Sequence, residues 1–278
     1  MKLSIITINK DNAEGLRRTM ESVLGQTCKN FEYIVVDGAS TDGSVEVMQE
    51  LAAAIQESGA YVDAQSEPDS GLYNAMNKGA RKAKGEYVLM LNSGDWFVDE
   101  KVVERVLPLL DGTDIIQGNV IRLRDGKEVL DRGYGRSDIN FIDVQQGHFL
   151  HQASFCRREL FERYGYFDES YRIIGDYVFY VKTLGYGNAS FVYDDIDVAV
   201  FAEAGVSSYS NSRMRDIHLS EDRRVNEELF SKRLYELCMT APRKMAFYEN
   251  LRRYSIIWKV AMVLERLSNW VKKIKCNG

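Results

Sequence analysis

The chain of 278 residues is long enough for one large α/β domain with an accessory segment. Its composition, 45% hydrophobic and 28% charged with 3 prolines, excludes collagen-like, solenoid and disordered proteins. The net charge of -5 is unevenly distributed, because residues 242–278 carry nine Lys or Arg and only two Glu, which leaves the body acidic. An acidic body argues against nucleic acid as the main partner, since phosphate backbones bind positive surfaces.

The sequence shows neither the apolar length of a membrane-spanning helix nor the pattern of a secretory signal. Its four cysteines are scattered without a CxxC pair, which favours reduced thiols over disulfides or a zinc site. We therefore expect a cytoplasmic protein whose contact with membrane, if any, is peripheral.

The first 120 residues alternate short β-rich runs with runs of helical periodicity. Strands are predicted over 2–8, 31–36, 61–65, 87–91 and 114–121, and helices over 12–24, 41–55, 72–84 and 100–110. This order predicts an α/β fold with a Rossmann-like, mostly parallel sheet and helices on both faces. In open sheets of this kind, ligands bind beyond the carboxyl ends of the strands.

The pattern changes after residue 125. Strands are predicted there over 128–134 and 191–201, and helices over 157–164, 176–184 and from 211 almost to the end, with a break at Pro242. We therefore expect a catalytic domain and a helical, basic C-terminal extension. The predicted division is a nucleotide-sugar-binding half over 1–120, an acceptor half over 121–210 and the extension over 211–278.

Polar side chains follow each of the first four predicted strands. They lie in Thr7–Asp11, Asp37–Asp42, Glu67–Ser70 and Asn92–Asp95. Any one of these clusters is explained equally well by turns and helix caps. Together they gather carboxylates at one edge of the sheet, where repulsion has to be offset by a cation or by hydrogen-bond donors.

Four blocks of the sequence resemble, in order, the motifs of glycosyltransferase family 2. They read LSIITINKDNAEGLRRTMESVLGQTCKNFEYIVVDGASTDGS, EPDSGLYNAMNKGARKAKGEYVLMLNSGDWF, HQASFCRREL and IGDYVFYVKTLGY. The resemblance extends over about residues 1–210, is strongest to bacterial polysaccharide-assembly members and implies the A-type glycosyltransferase fold. It also implies inverting transfer of a sugar from a nucleotide-sugar donor, most often a UDP-sugar, to a hydroxyl of a glycan or lipid-linked glycan.

The resemblance assigns the metal site to the segment NSGD at residues 92–95. The family places an Asp-rich motif there to hold Mn²⁺ or Mg²⁺, hard cations that prefer oxygen ligands. This chain departs from that motif, because only Asp95 keeps a carboxylate and Asn92 offers a weaker amide oxygen. Metal binding therefore rests on Asp95.

The donor is expected to contact residues from several blocks. Asp37 matches the family aspartate that accepts a hydrogen bond from the base, and Asp69 matches a second donor-site acid. Further donor-binding residues are expected at Thr7, Asn9, Asn77, Lys78, Asn92 and His151. For Lys78 a solvated helix face is an equally good interpretation.

Inverting transfer needs a general base opposite the leaving group. The resemblance places this base in IGDYVFYVKTL, and we assign it to Asp176, which opens a predicted helix. Asp168 is a neighbouring acid that could take this role, and a plain helix cap is the alternative for Asp176. His148 is expected to be structural, although its spacing from His151 also suits a two-histidine metal site.

Two further segments have expected roles at the substrate side. Residues 205–208 resemble a flexible loop that covers the donor in relatives. Residues 254–274 form a predicted basic amphipathic helix with Trp270, which suits a membrane surface, the catalytic domain or a second copy in a homodimer.

Two other functions share parts of this pattern. A nucleotidyltransferase also needs a nucleotide-binding α/β start and a metal, but the glycine-rich phosphate loop is missing from TINKDNAEG. A non-catalytic nucleotide-sugar-binding protein would tolerate the reduced acidic motif at residues 92–95.

Overall fold

The structure is a computed structural model that describes residues 1–124, 126–202, 212–230 and 240. It divides into two compact units, Met1–Asp222 and Arg223–Gly278. The strands are β1 (Leu3–Asn9), β2 (Glu32–Asp37), β3 (Tyr61–Ser66), β4 (Tyr87–Met90), β5 (Trp96–Phe97), β6 (Ile115–Arg124), β7 (Lys127–Asp131), β8 (Ser154–Arg157) and β9 (Phe191–Ala202). The α-helices are α1 (Ala13–Leu24), α2 (Ser44–Glu57), α3 (Leu72–Lys82), α4 (Val102–Val106), α5 (Phe141–Gln146), α6 (Glu159–Tyr164), α7 (Gly175–Tyr180) and α8 (Ser212–Leu229).

The described strands join one sheet in the order β3-β2-β1-β4-β8-β6-β9-β5, with β7 paired to β6. β1 is parallel to β2 and to β4, β2 is parallel to β3, and β6 is parallel to β9. β8 lies between β4 and β6 and is antiparallel to both. Because two reversals cancel, the carboxyl ends of β1–β4, β6 and β9 lie along the same edge of the sheet.

The predicted α/β architecture with its mostly parallel sheet is confirmed. The sheet also contains β8, which is inserted between β4 and β6. No strand is predicted at Ser154–Arg157, since four residues offer too few positions to show alternation.

Helices cover both faces of the parallel half, which explains why β1 and β2 are buried over their whole length. The side chains of α1 and α2 join one apolar cluster with Ile5 and Val35. α3 packs on the opposite face, where a Cβ at Gly79 would lie 2.4 Å from Cγ2 of Ile6. Gly79 therefore allows α3 to approach β1 closely.

The predicted short helix over 176–184 forms in two parts. α7 begins at Gly175 and continues as a π-helical segment over Val181–Tyr186. The predicted lid at 205–208, the break near Pro242 and the amphipathic segment 254–274 lie outside the described residues. Among the residues that are described, no helix is long and apolar enough to cross a membrane.

Candidate active site

A cavity of about 2100 Å³ opens at the edge where the parallel strands end. Binding sites for single small molecules usually measure roughly 300–1,000 Å³, so this cavity has room for two substrates. Six of the ten site residues predicted from the sequence line it: Asn9, Asp69, Asn92, Asp95, His151 and Asp176. The other four, Thr7, Asp37, Asn77 and Lys78, lie behind its wall or beside it.

Four of the lining residues, Asn92, Asp95, His151 and Asp176, form a central cluster around the His151 ring. His151, in a 3-10 turn just before β8, lies between the segment that follows β4 and the start of α7. Its Nε2 is 3.3 Å from Nδ2 of Asn92, and its Nδ1 is 3.2 Å from Oδ2 of Asp176. The cluster thus connects the predicted donor half to the residue predicted as the base.

Asp95 is buried at the base of this cluster, with 6% of its surface exposed. Burial raises the pKa of Asp95 to about 7, although His151, Arg122 and a hydrogen bond from Gln152 each act to lower it. Near neutral pH a substantial fraction of this carboxylate is therefore protonated. Added positive charge would favour the ionised form.

The Asn92 side chain can hydrogen-bond to His151 whether the ring is neutral or protonated, because its amide has a donor end and an acceptor end. With the Asn92 amide nitrogen facing the ring, Nε2 accepts a hydrogen bond and the ring proton on Nδ1 is donated to Asp176. Burial lowers the pKa of His151, but the hydrogen bond and the charge of Asp176 outweigh burial and raise it overall. A rotated Asn92 amide would offer a protonated ring its Oδ1, which is buried without a partner among the described residues.

Asp176 lies in the first turn of α7 and is held from two sides. His151 faces Oδ2, and the hydroxyl of Tyr73 lies 2.9 Å from Oδ1 and 2.6 Å from the carbonyl oxygen of Ile173. Burial raises the pKa of Asp176, but the contacts with His151 and Tyr73 outweigh it and hold the pKa below its usual range. The carboxylate is therefore ionised at neutral pH.

Asp37 ends β2 and has no exposed surface. Its carboxylate accepts hydrogen bonds from Nδ2 of Asn9 at 2.8 Å, from Oγ of Ser66 at 2.6 Å, and from both the N–H and the hydroxyl of Ser40. Burial raises the pKa of Asp37, but these bonds outweigh it and lower the pKa overall. Asp37 thus holds Asn9 and the loop after β2 in place, and contact between Asp37 and the base stays a prediction.

Of the remaining residues predicted to bind the donor, Asp69 lines the cavity, whereas Thr7 and Lys78 contact other parts of the protein. Asp69 reaches the cavity because Gly38 leaves space for it: a Cβ at position 38 would lie 2.3 Å from Asp69 Oδ2. Thr7 is buried and donates a hydrogen bond to the carbonyl oxygen of Leu91. Lys78 donates to the carbonyl oxygen of Pro68 and pairs with Glu67 at 2.9 Å.

Asn77 is buried on α3 and hydrogen-bonds to the segment that leads to α7. Its Nδ2 donates to the carbonyl oxygen of Phe167 and to Oε1 of Glu169, and its Oδ1 accepts the N–H of Phe167. These bonds occupy both ends of the amide. Contact of Asn77 with the donor, like that of Thr7 and Lys78, remains a prediction.

The two residues named as alternatives lie outside the central cluster. His148 is exposed, and its Nε2 is 3.1 Å from Oδ1 of Asp131 at the end of β7. Asp168 accepts hydrogen bonds from the N–H and the hydroxyl of Ser170, which is a local turn. Neither residue lines the cavity.

Tyr73 is a functional candidate that the sequence analysis missed. Tyr73 lies in the second block of the family resemblance, where it occupies an apolar position of α3, so periodicity alone predicts a core residue. Its hydroxyl contact with Asp176 joins positions more than one hundred residues apart. No local pattern reports such a pairing.

The described residues include no group of three His, Cys, Asp or Glu side chains that could hold a metal. Two candidate donors beside His151 are the carboxylate of Asp95 and the Oδ1 of Asn92, which has no partner among the described residues. A buried carboxylate with a raised pKa and a buried amide oxygen without a partner both fit a hard cation. Two oxygens alone do not complete a coordination shell.

Comparison with known proteins agrees with this geometry. The family model described as "Glycosyl transferase family 2" matches residues 4–165, more than half of the chain. A PGL/p-HBAD biosynthesis glycosyltransferase of Mycobacterium bovis is 29% identical over 207 residues, which cover 73% of this chain and 77% of that protein.

Two solved structures share the fold at low sequence identity. S. aureus TarS 1-349 in complex with UDP-GlcNAc gives a TM-score of 0.64 at 17% identity, covering 86% of this chain and 70% of that one. Mannosyltransferase PcManGT from Pyrobaculum calidifontis, in complex with GDP-Man and Mn²⁺, gives 0.55 at 16% identity, covering 96% and 87%. These similarities and the family match confirm the A-type glycosyltransferase fold, and the chain belongs to glycosyl transferase family 2.

Proposed function

We propose that this glycosyltransferase moves a sugar from a nucleoside diphosphate sugar, a UDP-sugar, to an acceptor hydroxyl with inversion, in the assembly of a cell-surface polysaccharide. The observation that carries the proposal is the ionised Asp176, held by His151 and Tyr73 at the wall of a cavity that also contains Asp95. A carboxylate fixed in this way can accept a proton from a hydroxyl beside it.

The donor is proposed to occupy the part of the cavity next to β1 and β4. The nucleoside lies along Asn9 and Asp69, and the diphosphate approaches Asn92, Asp95 and His151. TarS, a protein of the same fold, was solved with UDP-GlcNAc, which supports a uridine nucleotide. PcManGT, solved with GDP-Man, makes a guanosine nucleotide the alternative to test.

Transfer is proposed as a single displacement. The acceptor oxygen forms a bond to the anomeric carbon of the donor sugar while the bond from that carbon to the diphosphate oxygen breaks. The acceptor proton passes to Asp176, and the nucleoside diphosphate leaves with the bonding electrons. His151 and Tyr73 keep the carboxylate of Asp176 in one orientation throughout, which lowers the entropic part of the barrier.

A divalent cation, Mn²⁺ or Mg²⁺, is proposed as the cofactor and would be held by Asp95 with the amide oxygen of Asn92. When bound, it supplies positive charge that stabilises the leaving diphosphate. The pKa of Asp95, raised to about 7 by burial, makes this site sensitive to pH, because the protonated acid is a poor ligand.

The test uses the full-length chain with Mn²⁺ and a panel of UDP- and GDP-sugars, and it measures release of the nucleoside diphosphate. Asp176→Asn should abolish release, while UDP binding measured by calorimetry with Mn²⁺ stays within about twofold of wild type. Asp95→Asn should lose both release and metal-dependent UDP binding, since it removes the metal ligand.

Three outcomes would contradict the proposal. Full turnover in Asp176→Asn would show that another group is the base. Pyrophosphate exchange in place of glycosyl transfer would indicate a nucleotidyltransferase. Nucleotide-sugar binding without any turnover across the panel would indicate a non-catalytic binding protein.

A further inference from the structure

The segment between α6 and α7 determines where Asp176 lies, because Asp176 is the second residue of α7. Its first part is held by α3 through Asn77, which bonds to Phe167 and Glu169. Tyr73 lies four residues before Asn77 on α3, so both project from the same face of that helix. The contacts described so far therefore hold the start of the segment and the carboxylate itself.

The end of the segment is held by a residue from α8. Glu221 places its carboxylate against three consecutive backbone N–H groups just before α7. Oε1 accepts from Arg172 at 2.5 Å, and Oε2 accepts from Ile173 at 3.0 Å and from Ile174 at 3.2 Å. Glu221 is 8% exposed; its bond from Ile174 is buried, and those from Arg172 and Ile173 are partly buried. A carboxylate acceptor makes such bonds charge-assisted.

Burial makes this contact costly to remove. Without Glu221, three N–H groups would lose their acceptor, and the N–H of Ile174 is buried away from water. The carbonyl oxygen of Ile173 also faces the hydroxyl of Tyr73, which in turn faces Asp176. A shift of the backbone at Ile173 would therefore move the hydroxyl that orients the carboxylate.

We infer that Glu221 is a positioning residue for sugar transfer: its carboxylate fixes the backbone over Arg172–Ile174 and, through Tyr73, the orientation of Asp176. The inference rests on the proposed role of Asp176 as the base. It assigns a catalytic requirement to α8, which lies beyond the residues matched by the family model. It does not involve the donor side, where Asn9, Asp69 and Asp95 lie on other elements.

The experiment compares Glu221→Ala and Glu221→Gln with wild type in the full chain. Glutamine keeps one carbonyl oxygen as an acceptor but loses the charge, so its effect should fall between wild type and alanine. The matched control is Asp216→Ala, which removes an exposed acid from the same helix. Asp176→Asn is measured in parallel, with UDP release from the best UDP-sugar as the rate and UDP with Mn²⁺ as the binding probe.

Misplacing a catalytic group by about 1 Å can lower the rate about 100-fold, so kcat of Glu221→Ala should fall about 10- to 100-fold. The Kd for UDP should stay within about twofold, and Asp216→Ala should match wild type. At saturating Mn²⁺, where added positive charge favours the ionised form of Asp95, the acid limb of the kcat–pH profile should also move to higher pH in Glu221→Ala. The reason is that looser contacts from His151 and Tyr73 stabilise the ionised form of Asp176 less, which raises its pKa.

Other outcomes overturn the inference in distinguishable ways. If Asp176→Asn is inactive but Glu221→Ala keeps its kcat and pH profile, the inference fails and the proposed function stands. If Asp176→Asn remains active, the proposed function itself fails and the inference fails with it. If both Glu221 variants lose UDP binding in parallel with kcat, Glu221 supports the fold in general and is not a positioning residue. If the alanine variant does not fold, the kcat and pH profile of Glu221→Gln decide alone.

Discussion

Asp95 is held in an environment that opposes its own charge. Burial raises its pKa to about 7, while its neighbours His151, Arg122 and Gln152 offset only part of that cost. A neutral residue at such a position would give a more stable folded protein. The unfavourable charge is understandable if a cation is present during the reaction.

This cost predicts how stability depends on pH. Between the ordinary aspartate pKa and about 7, the folded protein holds a proton on Asp95 that the unfolded chain has released, so stability falls as pH rises. Asp95→Asn removes this titration. Without metal or nucleotide, the variant should melt about 2–6 °C above wild type at pH 8, with a smaller difference at pH 5.5.

Differential scanning calorimetry at both pH values measures this prediction. Glu57→Gln, which alters an exposed acid at the end of α2, is the matched control and should change the Tm equally at both pH values. A Tm difference for Asp95→Asn that does not depend on pH would contradict the assignment of the raised pKa.

At the residue scale, the sequence named candidate side chains but did not show how they are arranged. Asp95, His151 and Asp176 come from three separate blocks, and the structure places them in one cluster. Tyr73 and Glu221 could not be predicted, because their roles depend on contacts with α7 across long stretches of chain. Helical periodicity describes which face is buried, but it does not report what a hydroxyl or carboxylate touches.

Among the elements, α7 depends on close packing at its first residue. A Cβ at Gly175 would lie 2.7 Å from Cε2 of Tyr73, whose ring is almost completely buried. A buried aromatic ring has no free space into which to move. Gly175 therefore sets the distance between α3 and α7.

Gly175→Ala should consequently displace Tyr73 and lower kcat by about 10-fold or more, with little change in donor KM. Gly25→Ala is the matched control: its φ is −68° and the nearest atom to a new Cβ is a backbone oxygen at 3.4 Å. This control should keep wild-type rates. Initial rates of UDP release and the Tm of both variants test the prediction, and equal kcat values would refute the packing argument.

At the same scale, the sequence predicted most elements and missed three short ones. The predicted strand over 31–36 agrees with β2 within one residue at each end, and the predicted helix over 72–84 agrees with α3 within two. β5, β8 and α5 were not predicted; each has six residues or fewer, so periodicity gives little signal for them. The capping box at the start of α5, formed by Asn140 and Asp143, was a signal that could have located it.

For the molecule as a whole, the uneven charge is the feature with the clearest consequence. The last 37 residues are strongly basic, whereas the rest of the chain is acidic. A basic segment with apolar residues at helical spacing is expected to lie on a membrane with anionic lipids. We propose that this segment brings the enzyme to lipid-linked acceptors.

The prediction is that the full chain co-sediments with phosphatidylglycerol vesicles and much less with phosphatidylcholine vesicles. Each Lys near an anionic surface contributes about 1 kcal/mol, so Lys272→Glu with Lys273→Glu should weaken binding about 10-fold or more. Lys101→Glu, in the acidic body, should bind like wild type. Equal pelleting on both lipids would instead favour packing of the segment on protein, either within the chain or in a homodimer.

The place of β8 in the sheet has a consequence for how substrates enter. β8 bonds to β4 on one side and to β6 on the other, so an unbroken ladder of backbone bonds joins β4, which Asn92 and Asp95 follow in the chain, to the strands beyond β8. Swinging one half of the catalytic unit against the other would break this ladder. Admission of the donor and departure of the nucleoside diphosphate are therefore expected to proceed through rearrangement of the connecting segments, without hinge rotation between lobes.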